Sequence, residues 1–168
     1  MSPTTQDVSA ALRVRAWRAA ASVVDPEIPV LSIVDLGVLR EITVKDDDVE
    51  IVITPTYSGC PAMRVIEFEL AAALRAADIE KFHIRTVLAP AWSSDWLSEE
   101  GRAKLTAYGI APPQPKAGRR ALFGHDAIAC PRCGSSHNER LAEFGSTACK
   151  ALYRCNSCRE PFDYFKCI

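Results

Sequence analysis

The chain has 168 residues, 48% of them hydrophobic, and a formal net charge of −1. That length suits one ordinary domain with an appendage, or two small domains, and the apolar content is enough for a core. No apolar run approaches the roughly 20 residues of a bilayer span, and residues 1–7 lack the basic-then-apolar pattern of a secretion signal, so a soluble cytoplasmic protein is expected, with no membrane partner. Charge is unevenly spread. Residues 1–112 carry 11 basic and 16 acidic groups, residues 113–124 add three basic ones, and residues 125–168 carry 6 basic against 5 acidic. The near-neutral C-terminal part lacks the dense positive footprint of a phosphate-backbone binder, which argues against nucleic acid.

Over residues 7–24, Val8, Leu12, Ala16, Ala19, Ala20 and Val23 recur at helical spacing, which predicts a first helix ended by Pro26. In Asp25-Pro26-Glu27-Ile28-Pro29 the two prolines fix φ and remove two backbone donors, so a rigid, non-helical connection follows. Residues 36–44 and 49–54 are rich in branched side chains. Val49, Ile51 and Ile53 share a face, and Asp46-Asp47-Asp48 supplies a turn, so the two runs form an antiparallel hairpin. Pro61 opens a helix whose apolar face is Met63, Ile66, Leu70, Ala73, Leu74 and Ala77. Phe82, Ile84, Thr86 and Leu88 alternate with His83, Arg85 and Val87 as in a third strand, leaving His83 solvated. A short helix, capped by Ser94 or Ser98, ends at Gly109, a residue suited to the left-handed position after a helix. The order α-β-β-α-β-α makes residues 1–112 an α+β domain; residues 113–124 have linker composition, and residues 125–168 form a second, smaller domain.

Two cysteine pairs, Cys130-Pro-Arg-Cys133 and Cys155-Asn-Ser-Cys158, define that second domain. Four thiolates from two tight turns are the tetrahedral soft-ligand set of a structural Zn²⁺ and leave no open coordination position; iron on the same sulfurs is the alternative. Seven cysteines, an odd number, favour metal in a reducing compartment over a disulfide framework. Cys149 and Cys167 are left over. If strands 149–155 and 161–167 pair with Cys155 opposite Pro161, Cys149 faces Cys167, close enough for a reversible disulfide or a shared transient metal. Two buried thiols packed as small hydrophobes are the alternative. His125 and His137 flank the first pair, and with four sulfurs available neither is assigned to metal.

Upstream, Cys60 of Gly59-Cys60-Pro61 is the candidate functional thiol. With a helix starting at Pro61 it would be the N-cap, where orphan N–H groups and the helix dipole favour a thiolate, so a low pKa is expected. The loop Tyr57-Ser58-Gly59 at a strand end keeps such a side chain accessible; a merely packed N-cap cysteine is the alternative. The chain has no glycine-rich phosphate loop, no nucleophile elbow and no carboxylate–histidine metal motif, and no residue is assigned a catalytic role.

In order and spacing, Asp25-Pro26-Glu27-Ile28-Pro29, Ile33-Val34-Asp35-Leu36-Gly37-Val38 and Thr54-Pro55-Thr56-Tyr57-Ser58-Gly59-Cys60-Pro61 resemble the iron–sulfur cluster assembly domain of SufT-like proteins, over most of residues 10–110. With the stretch from Gly101 to Pro113 and the tail Pro161-Phe162-Asp163-Tyr164-Phe165-Lys166-Cys167 added, the whole chain is similar to the PaaD-like (PaaJ-like) family of phenylacetate degradation. The resemblance implies an assembly-type α+β domain followed by a β zinc ribbon. It also implies a non-enzymatic maturation factor for the multicomponent oxygenase that epoxidises the ring of phenylacetyl-CoA, delivering or repairing an iron–sulfur centre in the reductase component. The family's cysteine falls on Cys60, its acidic pair on Asp25 and Glu27, and the threonine before its cysteine on Thr56. Cys60 would be a transient cluster ligand, shared with a second subunit or the client because clusters need about four protein ligands. A homodimer, or a complex with oxygenase subunits, is therefore expected. Two other classes stay open: an enzyme acting on CoA thioesters through Cys60, and a zinc-ribbon module binding nucleic acid or protein.

Overall fold

A computed structural model describes residues 5–113 and 128–166. Apart from Pro113, the expected linker lies outside the described residues, as do His125 and Cys167. The chain divides into two compact units, Met1–Trp92 and Ser93–Ile168.

In the first unit, helix α1 (Thr5–Ala21) stops short of Pro26 because Val24 leaves it to bridge Ser32, and the Val23 carbonyl accepts from the Ile33 N–H at 3.0 Å. Its buried positions are the small Ala16 and Ala20, which let it pack against the later helix α2, while Val8 is exposed. Strands β1 (Leu39–Lys45) and β2 (Asp48–Ile53) form the expected antiparallel hairpin, with Lys45 opposite Asp48. Asp46 and Asp47 occupy the turn at φ 50° and 63°, the mirror-image geometry whose twist matches the flanking strands and which aspartate tolerates better than most residues. After helix α2 (Ala62–Ala76), strand β3 (Phe82–Thr86) joins β2 in parallel, so β2 is central and carries the buried Val49, Ile51 and Ile53. Parallel pairing requires a crossover, and α2 supplies it with Ile66, Leu70 and Leu74 as its buried face. The strand ends at Thr86, so Leu88 is exposed; His83 is exposed as well, 3.1 Å from Asp48.

Residues 22–38 contain almost no ladder pairing, so turn-type backbone bonds and side chains hold them together. The Asp35 carboxylate accepts from the Ser32 N–H and hydroxyl at 3.0 and 2.8 Å, and the buried Trp92 donates its indole N–H to the Leu36 carbonyl at 2.8 Å.

In the second unit Ser98 is the cap of α3 (Glu99–Tyr108), accepting from the Gly101 N–H at 2.9 Å; Ser94 lies buried in a 3₁₀ turn (Ser94–Trp96) instead. Gly109 ends α3 at φ 92°. Strands β4 (Ile110–Ala111), β5 (Asn138–Ala142), β6 (Lys150–Cys155) and β7 (Pro161–Phe165) form a sheet of order β4-β7-β6-β5. Because β4 pairs with β7, helix α3 and β4 group with the ribbon rather than with the first domain, where the residue pattern alone places residues 93–112.

The β6–β7 register differs by one residue from the expected one. Arg154, not Cys155, lies opposite Pro161, because the Cys155 N–H is engaged by the Glu160 carbonyl at 3.0 Å in the intervening turn. A one-residue shift moves side chains to the other face. Cys149 consequently meets Lys166, whose N–H reaches the Cys149 carbonyl at 2.9 Å, while Cys167 and its expected pairing lie outside the described residues. The Cys149 thiol is buried 3.1 Å from the Thr147 hydroxyl.

Trp92→Phe keeps an aromatic ring but removes the indole N–H and leaves a small void, so the Leu36 carbonyl loses this donor. We expect a loss of about 1–3 kcal/mol in unfolding free energy, read from the urea midpoint, with zinc content unchanged.

Candidate metal centre and thiol site

The two cysteine pairs fold into matching knuckles. In each, the residue after the second cysteine is left-handed and returns its N–H to the carbonyl of the first: Gly134 (φ 74°) to Cys130 at 2.8 Å, and Arg159 (φ 69°) to Cys155 at 2.9 Å. All four sulfurs lie within 4.8 Å of one another, with Cys130–Cys158 at 3.8 Å and Cys133–Cys155 at 3.5 Å. A Zn–S bond of about 2.3 Å places the sulfurs of a tetrahedron about 3.8 Å apart, so this set fits one ion. Ile128, Phe162 and Tyr164 pack with Cys130 and Cys155, and Tyr153 stacks on Phe162 at 5.9 Å.

The N–H groups of Cys158 and Ser157 donate to the Cys155 sulfur and lower its pKa to about 6. Cys158 goes the other way, to about 12: the Glu160 N–H favours its thiolate, but burial and the hydrogen bonds to Cys133, Cys155 and Cys130 outweigh it. Bare sulfurs crowded this closely cannot all ionise, and a divalent cation removes that conflict. His137 gives its backbone carbonyl to the Asn156 N–H at 2.8 Å and is not one of the clustered ligands.

In the first unit, Cys60 lies in the loop joining β2 to α2. Pro61 is the N-cap of α2 and makes no side-chain cap bond, so Cys60 stands one residue earlier than expected. Its N–H reaches the Tyr57 carbonyl at 3.1 Å, and its thiol is half-buried. Asp25 is buried, and one oxygen of its carboxylate accepts from the N–H groups of Glu27 and Ile28, both at 2.8 Å, a tight turn in which side chain substitutes for backbone. The structure thereby brings together Cys60, Thr56, Glu27 and Asp25, to which it adds the Ala62 N–H, a backbone donor that no residue pattern announces.

The expected low pKa of Cys60 is overturned. Burial pushes the thiol above the ordinary cysteine value; the Ala62 N–H opposes this, the Glu27 carboxylate adds to it, the Thr56 hydrogen bond opposes, and Asp25 adds again. One helix entrance does not outweigh desolvation plus two anions.

A small α+β domain with a half-buried loop cysteine near two carboxylates is thus followed by a ribbon whose four sulfurs suit one metal ion. Residues 5–81 match the family described as iron–sulfur cluster assembly protein, and residues 114–166 match the PaaD zinc beta ribbon domain. The chain is 46% identical over 152 residues to a protein of Escherichia coli (strain K12) provisionally named as the D component of 1,2-phenylacetyl-CoA epoxidase, spanning 90% of this chain and 91% of that one. The crystal structure of a DUF59 domain from Bacillus anthracis shares the fold, with a TM-score of 0.54 and 24% identity over 58% of this chain and 94% of that one. The chain belongs to the PaaD family. Among the described residues no helix is long and apolar enough to cross a membrane.

Protein purified without chelators should carry one zinc per chain by elemental analysis. Zinc affinity should fall as pH falls, because protons compete for the thiolates, and stripping the ion should unmask four reactive thiols. Cys60 should alkylate more slowly than free cysteine near pH 8, its rate rising about tenfold per pH unit up to the raised pKa, because only the thiolate reacts. Glu27→Gln removes one raising charge and should speed alkylation at that pH, followed by mass spectrometry of zinc-loaded protein.

Proposed function

We propose that this protein is a non-enzymatic maturation factor that delivers or repairs an iron–sulfur centre in a multicomponent phenylacetyl-CoA ring epoxidase, in the reductase component. The observation that carries the reading is the setting of Cys60: a half-buried soft ligand with an N–H and a hydroxyl donor on its sulfur and two carboxylates beside it. One sulfur cannot hold a cluster that needs about four protein ligands, so the rest must come from the client or a second chain, and the cargo is held only in passing. The raised pKa favours release, since at neutral pH a proton competes with iron for the sulfur. Asp25, Glu27 and Thr56 shape this loop. The ribbon ion, with four sulfur ligands, has no open position for chemistry, which leaves client recognition as the ribbon's role. A reducing cytoplasm would keep these thiols available.

The same features weigh against the other classes. A thioester enzyme needs an activated nucleophile, whereas burial and the two carboxylates push this thiol's pKa up, away from the thiolate. The near-neutral ribbon gives no electrostatic footprint for nucleic acid.

Cys60→Ala should preserve fold and zinc content yet abolish maturation, measured as iron and acid-labile sulfide in the reductase component of cells expressing the epoxidase. A fully loaded reductase in that background would remove Cys60 from the mechanism.

A further inference from the structure

We propose that a second copy of this chain pairs antiparallel along strand β1, joining the two three-stranded sheets about a twofold axis at Thr43. β1 is an edge strand, with no strand beyond it among the described residues. The orientation of its backbone follows from the ladder. Val49 donates to the Lys81 carbonyl and Ile53 accepts from the Val87 N–H, so the odd-numbered positions of β2 bond to β3 and the even-numbered ones bond to β1. Glu50 faces Thr43 and Val52 faces Glu41, so Glu41, Thr43 and Lys45 bond inward, while Ile42 and Val44 aim their N–H and C=O groups outward. The bulge between Leu39 and Glu41 limits the regular edge to residues 41–45, a stretch centred on Thr43.

Self-pairing about Thr43 is the register that satisfies both backbone and charge. It sets Ile42 opposite Val44 of the second copy as a hydrogen-bonded pair, twice by symmetry. It also sets the exposed Glu41 opposite the exposed Lys45, again twice. Centring on Ile42 would put Glu41 opposite Thr43, and centring on Val44 would put Lys45 opposite Thr43; neither matches opposite charges. Beside this edge, Val14 and Trp17 of α1 are 52% and 44% exposed and line a groove with Ile42 and Val44. An unpaired edge next to exposed apolar side chains is the arrangement that association covers. The surface contains none of Cys60, Asp25, Glu27 or Thr56, so it stands independently of the thiol's role.

Sedimentation of the zinc-loaded full chain over a dilution series tests this. The wild type should be a dimer. Lys45→Glu turns both cross-strand pairs into like charges and should raise the dimer dissociation constant by about tenfold or more, as should Glu41→Lys, while the double exchange should restore dimerisation. Circular dichroism and zinc content check that each variant is folded, and Cys60→Ala should remain dimeric. A monomeric wild type, a dimer indifferent to both reversals, or a double variant that stays dissociated would overturn the proposal.

Discussion

The buried carboxylate of Asp25 is the contact on which the thiol site depends. Its segment lies between a helix and the sheet, and Pro26 and Pro29 have removed two of its donors, so ladder pairing cannot organise it. One carboxylate oxygen instead gathers the N–H groups of Glu27 and Ile28, and the Asp25 N–H reaches the Leu31 carbonyl at 2.9 Å. Buried backbone groups need partners, and here a side chain provides them. The turn that results sets Glu27 where its charge acts on Cys60. Asp35 with Ser32, and Trp92 with Leu36, hold the next residues by the same means.

The two sulfur sites show opposite outcomes of one interaction. In both, backbone N–H groups donate to a cysteine sulfur. At Cys155 two such donors dominate and the pKa falls to about 6; at Cys60 burial and two carboxylates prevail and the thiol rises. The ribbon brings four sulfurs within 4.8 Å of one another, a set that fits one ion, whereas the loop offers a single half-buried thiol near two carboxylates. A closed tetrahedral set retains its ion, and a lone ligand competing with a proton releases its own.

Several features were legible in the residues because local chemistry requires them. Two CxxC pairs name their own ligands, since one ion needs four sulfurs within a few ångström and short turns supply them two at a time. Asp46-Asp47-Asp48 marked a turn, whose mirror-image type the structure supplied, and Gly109 marked a helix end because glycine adopts positive φ at no steric cost. The register of β6 on β7 was not legible in this way: it turned on which carbonyl engaged the Cys155 N–H, and both alternatives keep the cysteine spacing. Ser94 and Ser98 were equivalent as caps until burial removed one from the helix end.

The amino-acid pattern was sufficient for the α+β order, the hairpin and the four-sulfur centre, each being a matter of near neighbours along the chain. Its long-range consequences needed the folded molecule. The sign of the Cys60 pKa shift depends on how much water the loop excludes and on carboxylates more than 30 residues away in sequence. Solvation and through-space charge are properties of what surrounds a group, and only chain folding assembles those surroundings.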